Sequence, residues 1–365
     1  MINGRVKVVV APDSFKGSTT AREAADALAR GVNRVRPDAE IVAVPQADGG
    51  EGTLDAILRA RSDAAVHRVE VHLPPGPHDA RWLMLPGLTA VVELAECCGL
   101  PLVGTASPRH ASSAPVGEAL RAALAEGARR IVLAVGGSAS TDGGSGCLTA
   151  LGLRVRDRDG RDVPAGGAGL VVAAAVEDDE LCGPPPDGVT VLCDVDAPLF
   201  GPRGAAHVFG PQKGATAGDV AFLDEALRRW AALLGGDPER PGSGAAGGIA
   251  YGLARFWPTE LAPGADHVIA LTGLADQIAG ATLVITGEGQ HDAQSYGGKA
   301  TGSVVRLAEQ LGVRTAVAAG RVTIERPGVE MIDLSVLAGS AEASMADPLR
   351  YLQDAGELIA GRLAR

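Results

Sequence analysis

The stretch Ile131-Val-Leu-Ala-Val-Gly-Gly-Ser-Ala-Ser-Thr-Asp-Gly-Gly-Ser-Gly146 sets the reading of the whole chain. Its first five residues are apolar and rich in β-branched side chains, the composition of a short buried strand. The strand empties into a turn of five glycines, several hydroxyl residues and Asp142, and Cys147 to Leu151 can begin a helix. Glycine allows positive φ and close approach to the backbone. Successive amides in such a turn form an anion-binding concavity, to which a following helix start adds partial positive charge. Asp142 repels a phosphate, so its expected part is to hold a cation or a hydroxyl proton. A lone turn of this kind is as often a plain strand-to-helix connection. Repetition elsewhere in the chain gives this one its weight.

Outward from that stretch, strand, loop and helix recur. Arg5 to Val10 reads as a buried strand, followed by the loop Ala11-Pro-Asp-Ser-Phe-Lys-Gly-Ser18. Thr20 and Glu23 fit a capping box that opens a helix. Glu40 to Val44 is a second strand, with the loop Pro45 to Thr53 behind it, and Val66 to Leu73 a third. This rhythm is that of parallel βαβ units. Pro74-Pro-Gly-Pro77 interrupts it, and hairpins are expected at Arg81 to Leu94 and at Leu153 to Asp162. Val189 to Cys193 is a strand ending at Asp194. Ala281 to Thr286 is another, emptying into a loop from Gly287 to Lys299, after which the βαβ rhythm returns. The pattern predicts one domain from residues 1–75 and 276–365, with residues 76–275 inserted as a second α/β domain.

Composition agrees with this class and removes others. A chain of 365 residues exceeds one compact core. Hydrophobic residues make up 46% and aromatic residues only 3%, so the core is aliphatic, as parallel strands under Ala-rich helices require. The net charge of −11 argues against a nucleic-acid partner. No run is long and apolar enough for a signal peptide or a membrane span. Five cysteines without metal or disulfide spacing indicate reduced thiols, hence a cytoplasmic location.

The loops at strand ends carry Asp13, Ser14, Lys16, Asp48, Glu51, Ser138, Asp142, Asp194, Lys213, Glu288, Asp292 and Lys299. In open α/β sheets such loops converge at the carboxyl ends of the strands. Carboxylates, a few lysines and free amides suit phosphoryl transfer, which needs a Mg²⁺ site, cations on the moving group and a base for the accepting hydroxyl. Each residue alone has a plainer explanation: Asp48 as a turn residue, Lys16 as a solvated side chain, His291 as a second-layer group. The chain has no G-x-x-x-x-G-K-[ST] and no G-x-S-x-G, and Pro12 follows the first strand where a dinucleotide fold would have glycine.

Six ordered motifs then resemble those of the type 1 glycerate kinase family. They are Val10-Ala-Pro-Asp-Ser-Phe-Lys-Gly-Ser18, Ala47-Asp-Gly-Gly-Glu-Gly-Thr53, Gly136-Gly-Ser-Ala-Ser-Thr-Asp-Gly-Gly144, Val208-Phe-Gly-Pro-Gln-Lys-Gly-Ala215, Gly244-Ala-Ala-Gly-Gly248 and Ile285-Thr-Gly-Glu-Gly289. The resemblance implies ATP-dependent phosphorylation of D-glycerate with Mg²⁺, to 2-phosphoglycerate in bacterial members. It also implies a discontinuous Rossmann-like domain with an inserted α/β domain and an active site in the cleft between them. The chain departs from the family pattern at Thr141, Ala197 and the pair Gln290-His291. On this reading Lys16, Asp13, Ser14, Glu51 and Lys213 bind the substrate, and Asp194 or Asp48 accepts the hydroxyl proton. Gly136, Gly137, Ser138, Asp142, Gly143, Gly287 and Lys299 contact the nucleotide, while Asp292 and Glu288 hold Mg²⁺. A monomer or a homodimer fits. A kinase for another small hydroxy acid is the alternative, and a non-catalytic sensor of phosphorylated metabolites a remoter one.

Overall fold

The computed structural model describes residues 6–105 and 107–363. The chain forms two compact units, Met1–Asp48 with Asp55–Ser62 and Pro263–Arg365, and Gly49–Leu54 with Asp63–Ala262. In chain order β1 (Lys7–Val10) and β2 (Glu40–Ala43) belong to the first unit. The second contributes β3 (Ala65–Leu73), β4 (Gly76–Leu85), β5 (Thr89–Glu93), β6 (Arg130–Ala134), β7 (Arg154–Arg156), β8 (Ala175–Glu177), β9 (Val189–Leu192) and β10 (Thr259–Ala262). The first unit resumes with β11 (Leu283–His291), β12 (Arg314–Val322) and β13 (Val329–Asp333).

Among the described residues the first unit holds one five-stranded sheet, parallel throughout, in the order β13-β12-β11-β1-β2. Val8, Val9 and Val10 are fully buried because helices cover the sheet on both faces, so the strand reads as a continuous apolar run. The expected first residue of that strand, Arg5, lies outside the described residues. The helix Ala21–Val35 starts where the capping box placed it: Thr20 Oγ1 accepts the Glu23 amide at 3.2 Å, and Glu23 accepts the Thr20 amide at 3.0 Å. That helix packs on the closing helix Pro348–Leu363 through Gly31 and Gly356. A Cβ on Gly31 would sit 2.0 Å from the Gln353 carbonyl oxygen. The close crossing is the reason a helix interior tolerates glycine here.

In the second unit the sheet order is β10-β9-β6-β5-β4-β3. β5, β6, β9 and β10 run parallel, whereas β3, β4 and β5 form an antiparallel meander. This corrects the third βαβ strand expected at Val66 to Leu73. Only Pro74 and Pro75 separate β3 from β4, and a connection that short forces antiparallel pairing, since a parallel crossover needs a dozen or more residues. The prolines thus form a hairpin turn inside the second unit, which the chain has already entered at Asp63. It leaves at Ala262, ahead of the expected residue 276. The hairpin expected within Leu153 to Asp162 is present but short: the Asp157 amide donates to the Arg161 carbonyl at 2.9 Å beside an antiparallel bridge between Arg156 and Asp162, while β7 pairs with β8. The mixed α/β class itself is as the strand–loop–helix rhythm indicates. Among the described residues no helix is long and apolar enough to cross a membrane.

Candidate active site

Both units carry their polar loops at the carboxyl ends of parallel strands, the edge where open α/β sheets bind ligands. In the first unit Asp13, Ser14 and Lys16 follow β1, Asp48 follows β2, and Glu288 stands late in β11. All five line one cleft of about 330 Å³, together with Gln290, Lys299 and Gly320. Leu334, Met345 and Pro348 supply an apolar part of its wall.

Asp13 is 9% exposed. Its amide donates to the Gly287 carbonyl at 2.8 Å, and its carboxylate accepts the Ser14 amide at 2.6 Å. Burial first, then the negative charge of Asp48 and more weakly that of Glu288, raise its pKa to about 7, against the opposing pull of the Ser14 amide and Lys16. Glu288, 5% exposed, accepts from His291 Nδ1 at 2.8 Å, and its other oxygen lies 3.8 Å from Lys299 Nζ.

The loop expected from Gly287 onward is largely strand. β11 continues to His291, with Gly287 opposite Ala318 and Glu288 opposite Ala319 on β12. A Cβ on Gly287 would lie 2.1 Å from the Ala318 carbonyl oxygen, so close strand packing by itself requires glycine here. Its carbonyl is taken by the Asp13 amide and by Thr301 Oγ1 at 3.0 Å. Asp292 is not among the residues lining the cleft. Its carboxylate caps the short helix Ala293–Tyr296, accepting the Gln294 amide at 2.8 Å and Gln290 Nε2 at 3.1 Å. Among the described residues no three His, Cys, Asp or Glu side chains gather closely enough to hold a metal by themselves.

The second unit has a separate cluster after β6. Asp142 is fully buried. It accepts the Ser113 amide at 2.8 Å, Ser113 Oγ at 2.9 Å, the Gly144 amide at 3.2 Å and the Gly146 amide at 3.3 Å. The Gly143 amide donates to the Gly247 carbonyl at 2.8 Å, and the Gly136 amide to Gly49 at 3.1 Å. The concavity expected to receive a phosphate is therefore filled in large part by the chain's own carboxylate and carbonyls. An aspartate inside a glycine-rich turn is the signal for this, because it sits within reach of the amides two and four residues on. Burial raises the pKa of Asp142, and the donors from Ser113, Gly144 and Gly146 oppose that shift.

Lys213, 3% exposed, donates to the Ser140 carbonyl at 2.6 Å and points to Ser138 Oγ at 3.4 Å. Burial lowers its pKa to about 8, with the nearby Asp142 charge acting the other way. Asp194 and Glu51 are exposed in this unit. Next to Glu51, the Gly52 and Leu54 amides donate to buried Glu93 at 3.1 and 2.9 Å. Glu93 and Ser113 had no motif to draw attention to them. Glu93 is a polar residue inside an apolar run, which is a signal; Ser113, close to Ser112 and His110, carries none.

Charged clusters at the carboxyl edges of parallel sheets define an α/β enzyme that handles small polar molecules. The model of the glycerate kinase family matches residues 8–364. Glycerate kinase of Bacillus subtilis (strain 168) is 38% identical over 330 residues, covering 87% of this chain and 86% of the relative. Glycerate 2-kinase of Escherichia coli (strain K12) is 39% identical over 318 residues, covering 84% and 82%. A crystal structure assigned to glycerate kinase 2 of Salmonella typhimurium LT2 superposes with a TM-score of 0.81 at 34% identity, covering 99% of each chain. The chain belongs to the glycerate kinase family, and it is a kinase.

Proposed function

We propose that the chain transfers the γ-phosphoryl group of ATP to a hydroxyl of D-glycerate in the cytoplasm, giving 2-phosphoglycerate. The observation that carries this reading is the first unit's cleft, which Asp13, Asp48, Glu288, Lys16 and Lys299 line together. The names of the relatives support the substrate, and that of the Escherichia coli enzyme supports the position on the acid.

The Asp13–Asp48 pair accepts the proton of the attacking hydroxyl. Burial, and then the charge of Asp48, raise the pKa of Asp13 to about 7, where a carboxylate can take a proton near neutral pH. The base need not be strong, because the transition state is loose. Lys16, exposed at the mouth, takes the glycerate carboxylate, with Ser14 beside it. Lys213, in the second unit, is buried without a carboxylate in ion-pair range among the described residues, which suits it to an anionic group there. Asp194 and Glu51 keep supporting parts only.

The donor set fits Mg²⁺, which keeps several waters and is held by one or two carboxylates: the cleft offers oxygen donors and no thiol. Glu288 would hold the ion. When bound, Mg²⁺ neutralises charge on the nucleotide phosphates. Lys299, beside Glu288, holds the same phosphates in line with the hydroxyl.

A ³¹P and ¹³C NMR spectrum of the product from ATP and D-glycerate tests the assignment. A proton-coupled phosphorus resonance split into a doublet by the single C2 hydrogen, with formation of ADP, is expected. A triplet from the two C3 hydrogens, or no transfer, refutes it.

A further inference from the structure

Behind Glu288 stand His291, which bonds to it, and Tyr296, which bonds to His291. His291 is fully buried, with Nδ1 2.8 Å from Glu288 Oε1 and Nε2 3.0 Å from the Tyr296 hydroxyl. The two rings meet edge to face, 5.1 Å apart at 87°. A carboxylate only accepts, so Nδ1 carries the proton and Nε2 is left to accept from the tyrosine. Burial raises the Tyr296 pKa, which keeps that hydroxyl protonated. Behind Tyr296, Arg326 lies over the ring at 4.8 Å and is tied to Glu309 at 2.8 and 2.6 Å. The His291 carbonyl accepts both the amide and the hydroxyl of Thr323, at 2.9 and 3.0 Å. Every partner of the imidazole is thus fixed in turn.

We propose that His291, braced by Tyr296, is a positioning residue that locks the Glu288 carboxylate so that its second oxygen faces Lys299 and the cleft. The proposal rests on reading Glu288 as the holder of the cation. Strict strand alternation would send residues three apart to opposite faces. The β11–β12 register has no paired residue at Gly289, between them, and there the side chains come together. The carboxylate that His291 holds is buried at 5% exposure and still lines the cleft, so the bond fixes a group that faces the site. A glutamate loses rotamer freedom when it captures a ligand, and fixing it beforehand removes that cost from binding.

The test is Mn²⁺ binding to the full chain by electron paramagnetic resonance, alongside kcat and KM for the metal–nucleotide. Glu288→Gln, His291→Leu, His291→Asn and Tyr296→Phe are compared, each checked for folding by circular dichroism. His291→Leu is expected to weaken Mn²⁺ binding by about tenfold or more, the usual loss when a group behind a ligand is removed. It should raise KM for the metal–nucleotide more than it lowers kcat. His291→Asn returns an N–H to the Nδ1 position and should recover binding to within about threefold of the native chain. If His291→Leu does not fold, Tyr296→Phe carries the test with a loss of about threefold. Weakened binding in Glu288→Gln with native binding in folded His291→Leu, or in Tyr296→Phe where His291→Leu fails, overturns the positioning role alone. Native binding in Glu288→Gln overturns the cation assignment and this inference with it.

Discussion

Replacing Asp142 by alanine tests whether the glycine-rich turn of the second unit is filled from within. The side chain is fully buried and its two oxygens serve four donors, two at 2.8 and 2.9 Å and two at 3.2 and 3.3 Å. A buried donor left without a partner costs about 1–3 kcal/mol. The two short bonds come from one residue, Ser113, whose hydroxyl can turn away, and the two long ones are the weaker pair. A loss of about 3–5 kcal/mol is expected, the range found when a buried charged group is removed from its partners. Asp142→Asn should lose less. Its amide oxygen can keep the three donors that meet Oδ2, leaving its NH₂ against the Gly144 amide, at about 1–2 kcal/mol. The assay is urea unfolding followed through Trp230, which packs on the turn and donates to the Gly143 carbonyl at 3.0 Å. Amide exchange at Gly144 and Gly146 is read alongside. An internal anion can also be replaced from outside. With formate at about ten times its dissociation constant, Asp142→Ala should regain about 1.4 kcal/mol while the native chain gains none. A native chain stabilised by formate as much as the alanine variant, or an alanine variant as stable as the native chain, would show that the amides are open and refute the reasoning.

Lys16→Ala should lower kcat/KM for glycerate by about tenfold or more, since a charge-assisted contact contributes about 1.5–3 kcal/mol, and a change under about threefold removes it from carboxylate binding. For Asp13 the sign is fixed by its raised pKa. The acceptor must be deprotonated, so kcat/KM should climb with pH and level off near 7, and a limb that ends in the ordinary carboxylate range contradicts the assignment. The same shift means the folded state holds that proton more tightly than the unfolded chain. Stability from this group is full below about 4 and lost as pH rises through about 7, and Asp13→Asn should remove that slope in thermal melts. Gly31→Ala should destabilise. In an open helix the change would stabilise by about 1 kcal/mol, but a Cβ here would lie 2.0 Å from the Gln353 carbonyl oxygen, so a raised melting midpoint would refute the close helix crossing.

Local periodicity and capping are written in short windows, and these were legible. β1, β2, β6 and β9 fall where apolar runs predict them, and Thr20 with Glu23 caps its helix as spaced. Pairing partners are not written locally. Val66 to Leu73 carries the composition of a strand in any sheet, and only the two-residue link to β4 decides that it is antiparallel. The glycines show the same limit more sharply. Composition marks Gly31, Gly287 and Gly144 alike, yet the first admits a helix and the second a neighbouring strand, while the third turns its amide to Asp142. Close approach of backbones and binding of an anion make the same demand on the residue, which is the absence of a side chain. A glycine-rich loop therefore becomes evidence for a ligand only once its amides have been shown to lack internal partners. By that criterion the balance of chemistry moves from the turn after β6 to the carboxylates and lysines after β1, β2 and along β11. Among those groups is Asp13, which burial and the charge of Asp48 raise despite Lys16 and the Ser14 amide, and a bound cation or a transferred proton would relieve that repulsion.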